Sequence, residues 1–303
     1  MPGLKKTVKS LLERYYQVGA TYREVSDMKF FMRRMQLEQS ILSSGSVGVS
    51  SEKYCDTEIV VSLTTYGRRL YDVCYTIESL MQQTCPPNRI VLWLDPHSMV
   101  DNLPVALQKQ MNRGLEVLAT PDIRSYTKLI PALKMFPEAA VITVDDDMVY
   151  DFDIIERLIT AHRTDPSAIQ ACRVHSMTFD GKGELLPYSQ WDWTTASTVK
   201  RHFLTGVGGV LYPPLSLGKE VLNQDVFLSI CPTADDVWFT AMAKLNGTPI
   251  MKVETRSPKG EDYVSNYEVQ DMGLCRINTG RFGKNDEQIQ AVFSRYGIYD
   301  FIR

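Results

Sequence analysis

The segment Val141-Ile142-Thr143-Val144-Asp145-Asp146-Asp147 runs an apolar stretch straight into three carboxylates. In an extended chain residues i and i+2 share a side, so Asp145 and Asp147 are expected to face one way and Asp146 the other. Adjacent negative charges at the rim of an apolar sheet repel one another unless a cation compensates them. Carboxylate oxygens suit the hard divalent cations Mg²⁺ and Mn²⁺, which also take phosphate oxygens. The plain alternative is a solvated acidic loop that caps the following helix, a common use of carboxylates. A second acidic pair, Asp235-Asp236, stands before Val237, Phe239, Met242 and Leu245, where Asp reads first as a helix N-cap.

The elements that must position these groups follow an alternating pattern from Glu58 onward. Ile59 to Leu63 is a short β-branched run, and Asp72 is placed to cap a helix carrying Val73, Ile77, Leu80 and Met81. Ile90 to Leu94 and Ala140 to Val144 are apolar throughout, as parallel strands covered on both faces are. Leu115 to Ala119 reads as a further strand, Lys128 to Phe136 as a helix, and Asp153 as the cap of a helix through Ile159. This β-α-β-α order predicts an α/β domain with a mostly parallel sheet, whose ligands gather at the carboxyl ends of the strands. Later come a strand at Ile169 to Val174, a turn at Gly181-Lys182-Gly183, and aromatic-rich strands and loops to Tyr212. Helices are expected after Asp235-Asp236, stopped by Gly247, and from Asp286 to Gly297.

Composition bounds the setting. The 303 residues, 44% hydrophobic and 23% charged, suit a soluble protein with a sizeable core. No apolar run approaches the ~20 residues of a membrane helix, and charges interrupt every candidate secretory signal, so a cytoplasmic location is expected. Cys55, Cys74, Cys85, Cys172, Cys231 and Cys275 form no C-x-x-C pair, and His97, His162, His175 and His202 show no zinc spacing. The net charge of −3 conceals a basic head: residues 1–36 carry eight basic and three acidic residues, +5, leaving −8 for the rest. That distribution indicates an anionic partner for the head, not a nucleic-acid enzyme. Leu4, Val8, Leu11, Leu12 and Tyr15, then Met28, Phe31, Met32 and Met35, keep helical spacing. The head therefore reads as a helical extension over 1–42 that meets an anionic membrane surface as a peripheral helix, packs on protein, or self-associates. A Ser/Gly-rich linker occupies 43–55, and the main domain spans 56–303.

Over roughly residues 56 to 250 the chain resembles the GT-A-fold glycosyltransferases. In that family a D-x-D motif ends a central strand and binds a metal-bridged nucleotide sugar, and Asp145-Asp146-Asp147 matches it in residue and position. The resemblance implies Mn²⁺ or Mg²⁺ on Asp145 and Asp147, with Asp146 beside the nucleotide. It places the nucleotide base at the turn Thr64-Thr65-Tyr66 and a second nucleotide contact at Asp95. Arg68, Arg69 and Lys128 fit a diphosphate, whose departure needs nearby positive charge. Trp191 and Trp193 fit the stacking of an acceptor sugar, with aromatic packing under a loop as the alternative. Thr205-Gly206-Val207-Gly208-Gly209-Val210 lacks dinucleotide-loop spacing and resembles the family's glycine turn beside the reacting sugar, with Gly208 and Gly209 next to the acceptor. Asp236, with Asp235 as second choice, matches the base of inverting members. Asn278 and Asn285-Asp286 match the C-terminal contacts of some members only loosely.

The implied activity is transfer of a hexose from a nucleoside-diphosphate sugar to a saccharide or glycolipid acceptor, as in surface polysaccharide or lipid-linked glycan synthesis. The nucleotide part would span about 56–150 and the acceptor part about 151–303. A sugar-1-phosphate nucleotidyltransferase is the enzymatic alternative, but Thr64 to Arg69 holds one glycine where its phosphate loop needs several. A non-catalytic carbohydrate-binding homologue is the other, against which stand the intact Asp145, Asp147 and Asp236.

Overall fold

The apolar runs form the centre of one twisted sheet, and their neighbours in sequence form the helices that cover it. The computed structural model describes residues 2–99, 103–193, 198–266 and 283–303; Cys275 and Asn278 lie outside the described residues. In chain order the elements are α1 (Pro2–Ser43), β1 (Ile59–Thr64), α2 (Val73–Met81), β2 (Arg89–Leu94), α3 (Val105–Met111) and β3 (Leu115–Ala119). Next come α4 (Ile130–Met135), β4 (Ala140–Thr143), β5 (Met148–Tyr150), α5 (Ile154–Thr164), β6 (Ile169–Ser176) and β7 (His202–Tyr212). The described chain closes with α6 (Gln224–Ile230), α7 (Asp235–Leu245), β8 (Ile250–Lys252), β9 (Tyr263–Ser265), α8 (Lys284–Tyr296) and α9 (Tyr299–Ile302).

Seven strands lie in the order β3-β2-β1-β4-β7-β6-β8. The first four run parallel, with Val61 beside both Ile90 and Ile142. β7 runs antiparallel to β4 and β6, and β8 returns parallel to β6. Successive residues of a strand point to opposite faces, so each central strand feeds two cores. Ile59, Val61 and Leu63 pack with α2, α3 and α5 on one face, while Val60, Val91 and Val141 pack with α4, α7 and α8 on the other. The result is the mostly parallel sheet flanked by helices that the GT-A resemblance implies.

Three local expectations change. Asp72 and Asp153 stand at N-cap positions, but neither side chain makes a capping hydrogen bond; Asp153 is instead held by the Arg157 side chain on its own helix and by Arg256. The glycine segment 205–210 is no turn but the interior of β7. Opposite it the pairing steps from Ala171↔Val210 to Arg173↔Thr205, so four residues of β7 bulge out against Cys172 alone. Gly209 makes this possible at φ 93°, a left-handed conformation that side chains rarely adopt.

The Ser/Gly segment after α1 is laid along the domain: the Gly48 N–H donates to the Arg113 carbonyl at 2.8 Å and the Ser50 N–H to that of Pro87 at 2.9 Å. A Cβ at Gly48 would lie 2.3 Å from the Met81 side chain, so its glycine serves close packing. α1 is tied down by Glu78 of α2, which is fully buried. Glu78 receives Arg113 at 2.8 Å, Ser40 Oγ at 2.7 Å and Gln110 at 3.1 Å.

Lys244 on α7 is buried with only a long contact to the Val199 carbonyl, and burial pushes its pKa down from 10.5 to about 8. Between those values the unfolded chain binds more protons than the folded one, so this group adds stability as pH rises through the window. Lys244→Met should raise the melting temperature at pH 7 by the equivalent of about 1–3 kcal/mol. The gain over the parent chain should shrink to about 0.4 kcal/mol near pH 10.5, where lysine is neutral in the folded state and half neutral in the unfolded one. Thermal denaturation of both chains at the two pH values checks it; an equal difference at each would disprove the burial cost.

Candidate active site

The carboxyl ends of β1, β2 and β4 open into a cleft of about 1460 Å³. Its floor is set by the turn that leaves β1. The chain bends at Gly67, with φ 57°, into a short 3-10 turn that buries Arg69. Arg69 gives one guanidinium nitrogen to Asp146 at 2.8 Å and another to Asp147 at 3.2 Å. Thr65 Oγ1 donates to the other oxygen of Asp146 at 2.6 Å, and Thr76 Oγ1 to its carbonyl at 2.9 Å. The acidic turn is thereby clamped to the turn after β1.

The extended spacing expected of Asp145 and Asp147 does not hold, because the chain bends at Asp146–Asp147. Asp146 and Asp147 share Arg69, while Asp145 turns to Lys128 at 2.8 Å. Lys128 ends a 3-10 turn whose carbonyl accepts from Ser62 Oγ, and that hydroxyl accepts from Trp93 Nε1. The ammonium is thus aimed from the sheet itself, and it also reaches Asp235 at 3.2 Å. That contact has the distance of an ion pair but not the alignment of a hydrogen bond, so Asp235 Oδ2 stays buried without a bonded proton. The Tyr150 hydroxyl accepts from the Asp145 N–H and donates to the Val207 carbonyl, fixing the acidic turn against the bulge of β7.

At the far side stands the start of α7. Ala234 occupies the N-cap, and neither Asp235 nor Asp236 bonds back to the helix. The capping role is therefore not realised. Asp236 Oδ1 accepts instead from the Gly206 N–H at 3.0 Å. A Cβ on Gly206 would meet Lys128 Nζ at 2.7 Å and Asp236 Oδ1 at 3.2 Å, so only glycine leaves both groups in place.

Four carboxylates, Asp145, Asp146, Asp147 and Asp235, thus pair with Arg69 and Lys128 among the described residues, and Asp236 adds a fifth negative charge near Lys128. Burial, then Asp146 and Asp145, raise Asp147 to about 7. Burial raises Asp236, with Asp235 adding to it, and burial raises Asp146 against the pull of Arg69. Lys128 is held charged against its burial by Asp145, Asp235 and Asp236. Such a surplus of negative charge suits a cation. Among the described residues no three carboxylate, histidine or cysteine groups converge into a cage, but Mg²⁺-type sites commonly use one or two carboxylates plus substrate phosphates. Asp145, Asp146 and Asp147 all line the cleft.

The cleft is lined by Thr64, Thr65, Tyr66 and Asp95, by Lys128 and Asp145 to Asp147, and by Trp193, Asp235 and Asp236. Of the neighbours Arg68 and Arg69, it is Arg69 that lines it. Trp191 lies outside: it is buried against Tyr188 and Phe203, with its indole N–H on the Leu186 carbonyl. Gly208 and Gly209 serve the bulge, Gly208 by close approach to Gly260 and Arg173, while Gly206 is the glycine that faces the cleft. Asn285, Asp286 and Arg173 also line it, and Arg173 lies over the Trp193 ring at 4.8 Å. The role of Tyr150 had no signal in the sequence beyond its place in a short apolar strand after the acidic run.

No protein-family model matches the sequence, and no curated protein matches it. Solved structures are similar in part. The mannosyltransferase PcManGT from Pyrobaculum calidifontis, in complex with GDP-Man and Mn²⁺, is 13% identical with a TM-score of 0.49, over 90% of this chain and 76% of that one. S. aureus TarS 1-349 in complex with UDP is 16% identical with a TM-score of 0.43, over 78% and 71%. A CMP:2-keto-3-deoxy-manno-octonic acid synthetase complexed with CTP is 15% identical with a TM-score of 0.39, over 66% and 90%.

The charge surplus has a measurable consequence for the ligand-free protein. Asp147 has its folded pKa, about 7, above its usual 3.8, so between those values the folded chain binds more protons and loses stability as pH rises. Asp147→Asn should therefore stabilise the protein at pH 8 by about 2–4 kcal/mol, an advantage that fades below pH 4. Chemical denaturation at both pH values tests this; a variant less stable than the parent at pH 8 would show that the ion pair with Arg69 outweighs the repulsion.

Proposed function

We propose that this chain is a metal-dependent, inverting glycosyltransferase that uses a nucleoside-diphosphate sugar. One observation carries the reading. A buried, basic-leaning Asp236 is held by the Gly206 N–H in the same cleft as the acidic turn Asp145 to Asp147 at the ends of parallel strands, with Lys128 between the two acidic groups. Two carboxylate groups in different settings divide two tasks between them.

In this reading Thr64, Thr65, Tyr66 and Asp95 receive the nucleoside, and the diphosphate lies over the acidic turn. Asp145 and Asp147 would hold Mn²⁺ or Mg²⁺, which when bound neutralises charge on the leaving diphosphate. Lys128 and Arg69 keep the turn folded while it is ionised and place positive charge beside the diphosphate. The acceptor, a saccharide or glycolipid, enters past Trp193. Asp236 accepts the proton of its hydroxyl, the oxygen bonds to the anomeric carbon, and the bond from that carbon to the diphosphate oxygen breaks. One displacement inverts the configuration. Asp236 suits the task because burial beside Asp235 strengthens it as a base, and general-base assistance is worth about 10²- to 10⁴-fold. Among the described residues no helix is long and apolar enough to cross a membrane.

Asp145→Ala should abolish the Mn²⁺-dependent part of nucleoside-diphosphate binding, read by calorimetry across a panel of diphosphates. Unchanged affinity would remove the metal role from the acidic turn. Asp236→Asn should lower turnover about 10²- to 10⁴-fold while nucleotide affinity stays within about twofold. Near-normal turnover, or a product that keeps the anomeric configuration by NMR, would refute the base and the inverting course.

A further inference from the structure

Helix α1 presents two apolar faces, and the domain covers one of them. Phe30, Leu37 and Ile41 are buried against it, and Arg33, Arg34 and Ser40 reach across to Gln82, Tyr75 and Glu78. On the other side Val18, Val25, Met28, Met32, Met35 and Leu42 stay 45–70% exposed. Their steps of seven, three, four, three and seven residues are a heptad, with Val18, Val25 and Met32 at a and Met28, Met35 and Leu42 at d. Thr21 and Gln39, also exposed, fill the remaining d and a positions. Phe30 and Leu37 then fall at f, directly opposite. The domain-facing and free faces are thus separated by half a turn.

A helix of this length, about 63 Å, draws its stability from packing more than from propensity. Between Gln17 and Lys29 none of the described side chains is buried, so the domain supplies little of that packing there. A stripe that repeats every 3.5 residues fits a helix of the same period. Covering it on two chains removes on the order of 1,200 Å² from water, the low end of a specific interface.

We infer that α1 joins a second copy of this chain as a parallel, in-register, two-stranded coiled coil. Charge selects the direction. In the parallel pair Glu24 at g faces Lys29 at e of the other copy, twice by symmetry; an antiparallel pair centred on Phe31 sets Glu24 against Glu38. Gln39, a polar residue at one a position, fixes the register. A lipid surface is a poorer match. The basic surplus of the head lies mostly ahead of the stripe, in Lys5, Lys6, Lys9 and Arg14; residues 17–43 hold four basic and three acidic side chains, and Arg33 and Arg34 are turned to the domain. The inference rests on α1 alone and is independent of the reaction proposed above.

Sedimentation equilibrium of the full chain should give twice 34.5 kDa at micromolar concentration. Met28→Glu with Met35→Glu should return it to the single mass with an unchanged circular dichroism spectrum of the domain, since both positions are exposed. Glu24→Lys should weaken the dimer several-fold, and adding Lys29→Glu should restore it, which a general loss of folding would not do. Met28→Cys should form a reducible covalent dimer, as d residues meet only in the parallel register. A parent chain of single mass, a double mass indifferent to both seam glutamates, or a monomer that floats on vesicles of phosphatidylcholine and phosphatidylglycerol would each overturn the proposal.

Discussion

Among the described residues two cations pair with four carboxylates in the cleft while a fifth, Asp236, rests on a backbone N–H, and the arrangement of the sheet ends stems from that inequality. Arg69 can reach Asp146 and Asp147 only because Gly67 bends the chain back after β1. Lys128 can reach Asp145 and Asp235 only because Ser62 and Trp93, on neighbouring strands, anchor its backbone. Each cation is therefore aimed by the parallel sheet, and the acidic turn is folded by the cations. The remaining negative charge stays in the cleft as raised proton affinity. Breaking a buried pair while leaving its partner costs far more than the pair contributes, so the site tolerates little rearrangement.

Much of this was legible in the sequence because the central strands are buried on both faces. Ile90 to Leu94 and Ala140 to Thr143 are apolar without alternation, and each core takes every second residue of them. The acidic run, the residues after β1 and the pair that opens α7 were likewise visible as types in sequence. Their pairing was not. Which way Asp146 points depends on a turn after β4, and which arginine enters depends on one left-handed glycine. The glycine run was visible, but its reading as a turn failed because tertiary pairing with β6 and β4 holds it in a strand. A bulge can be recognised only when the partner strand is known. The short helix α3 leaves no clear signal, its seven residues giving too little periodicity.

The link between α1 and the domain rests on polar atoms as much as on apolar ones. Glu78 sits at the meeting of three helices and receives donors from each neighbour, with Arg113 neutralising it. A buried carboxylate with full partners specifies one arrangement, because any slip of α1 along α2 would strip Ser40 from it. The Ser/Gly segment extends the same attachment, with Gly48 seated on Met81. What composition suggested as a tether is a second line of contact.

Gly206 shows how a missing side chain can carry structural information. The space above its Cα is filled by Lys128 Nζ and Asp236 Oδ1, so the distance between a cation and a carboxylate is gauged by a hydrogen atom. A single methyl group would be felt by both partners at once, from the backbone of a strand that cannot yield without opening its bulge. Even alanine at this position would press the Lys128 ammonium away from where it stands and crowd the Asp236 carboxylate, so the first methyl group is paid for in the placement of charge, not in the packing of the strand.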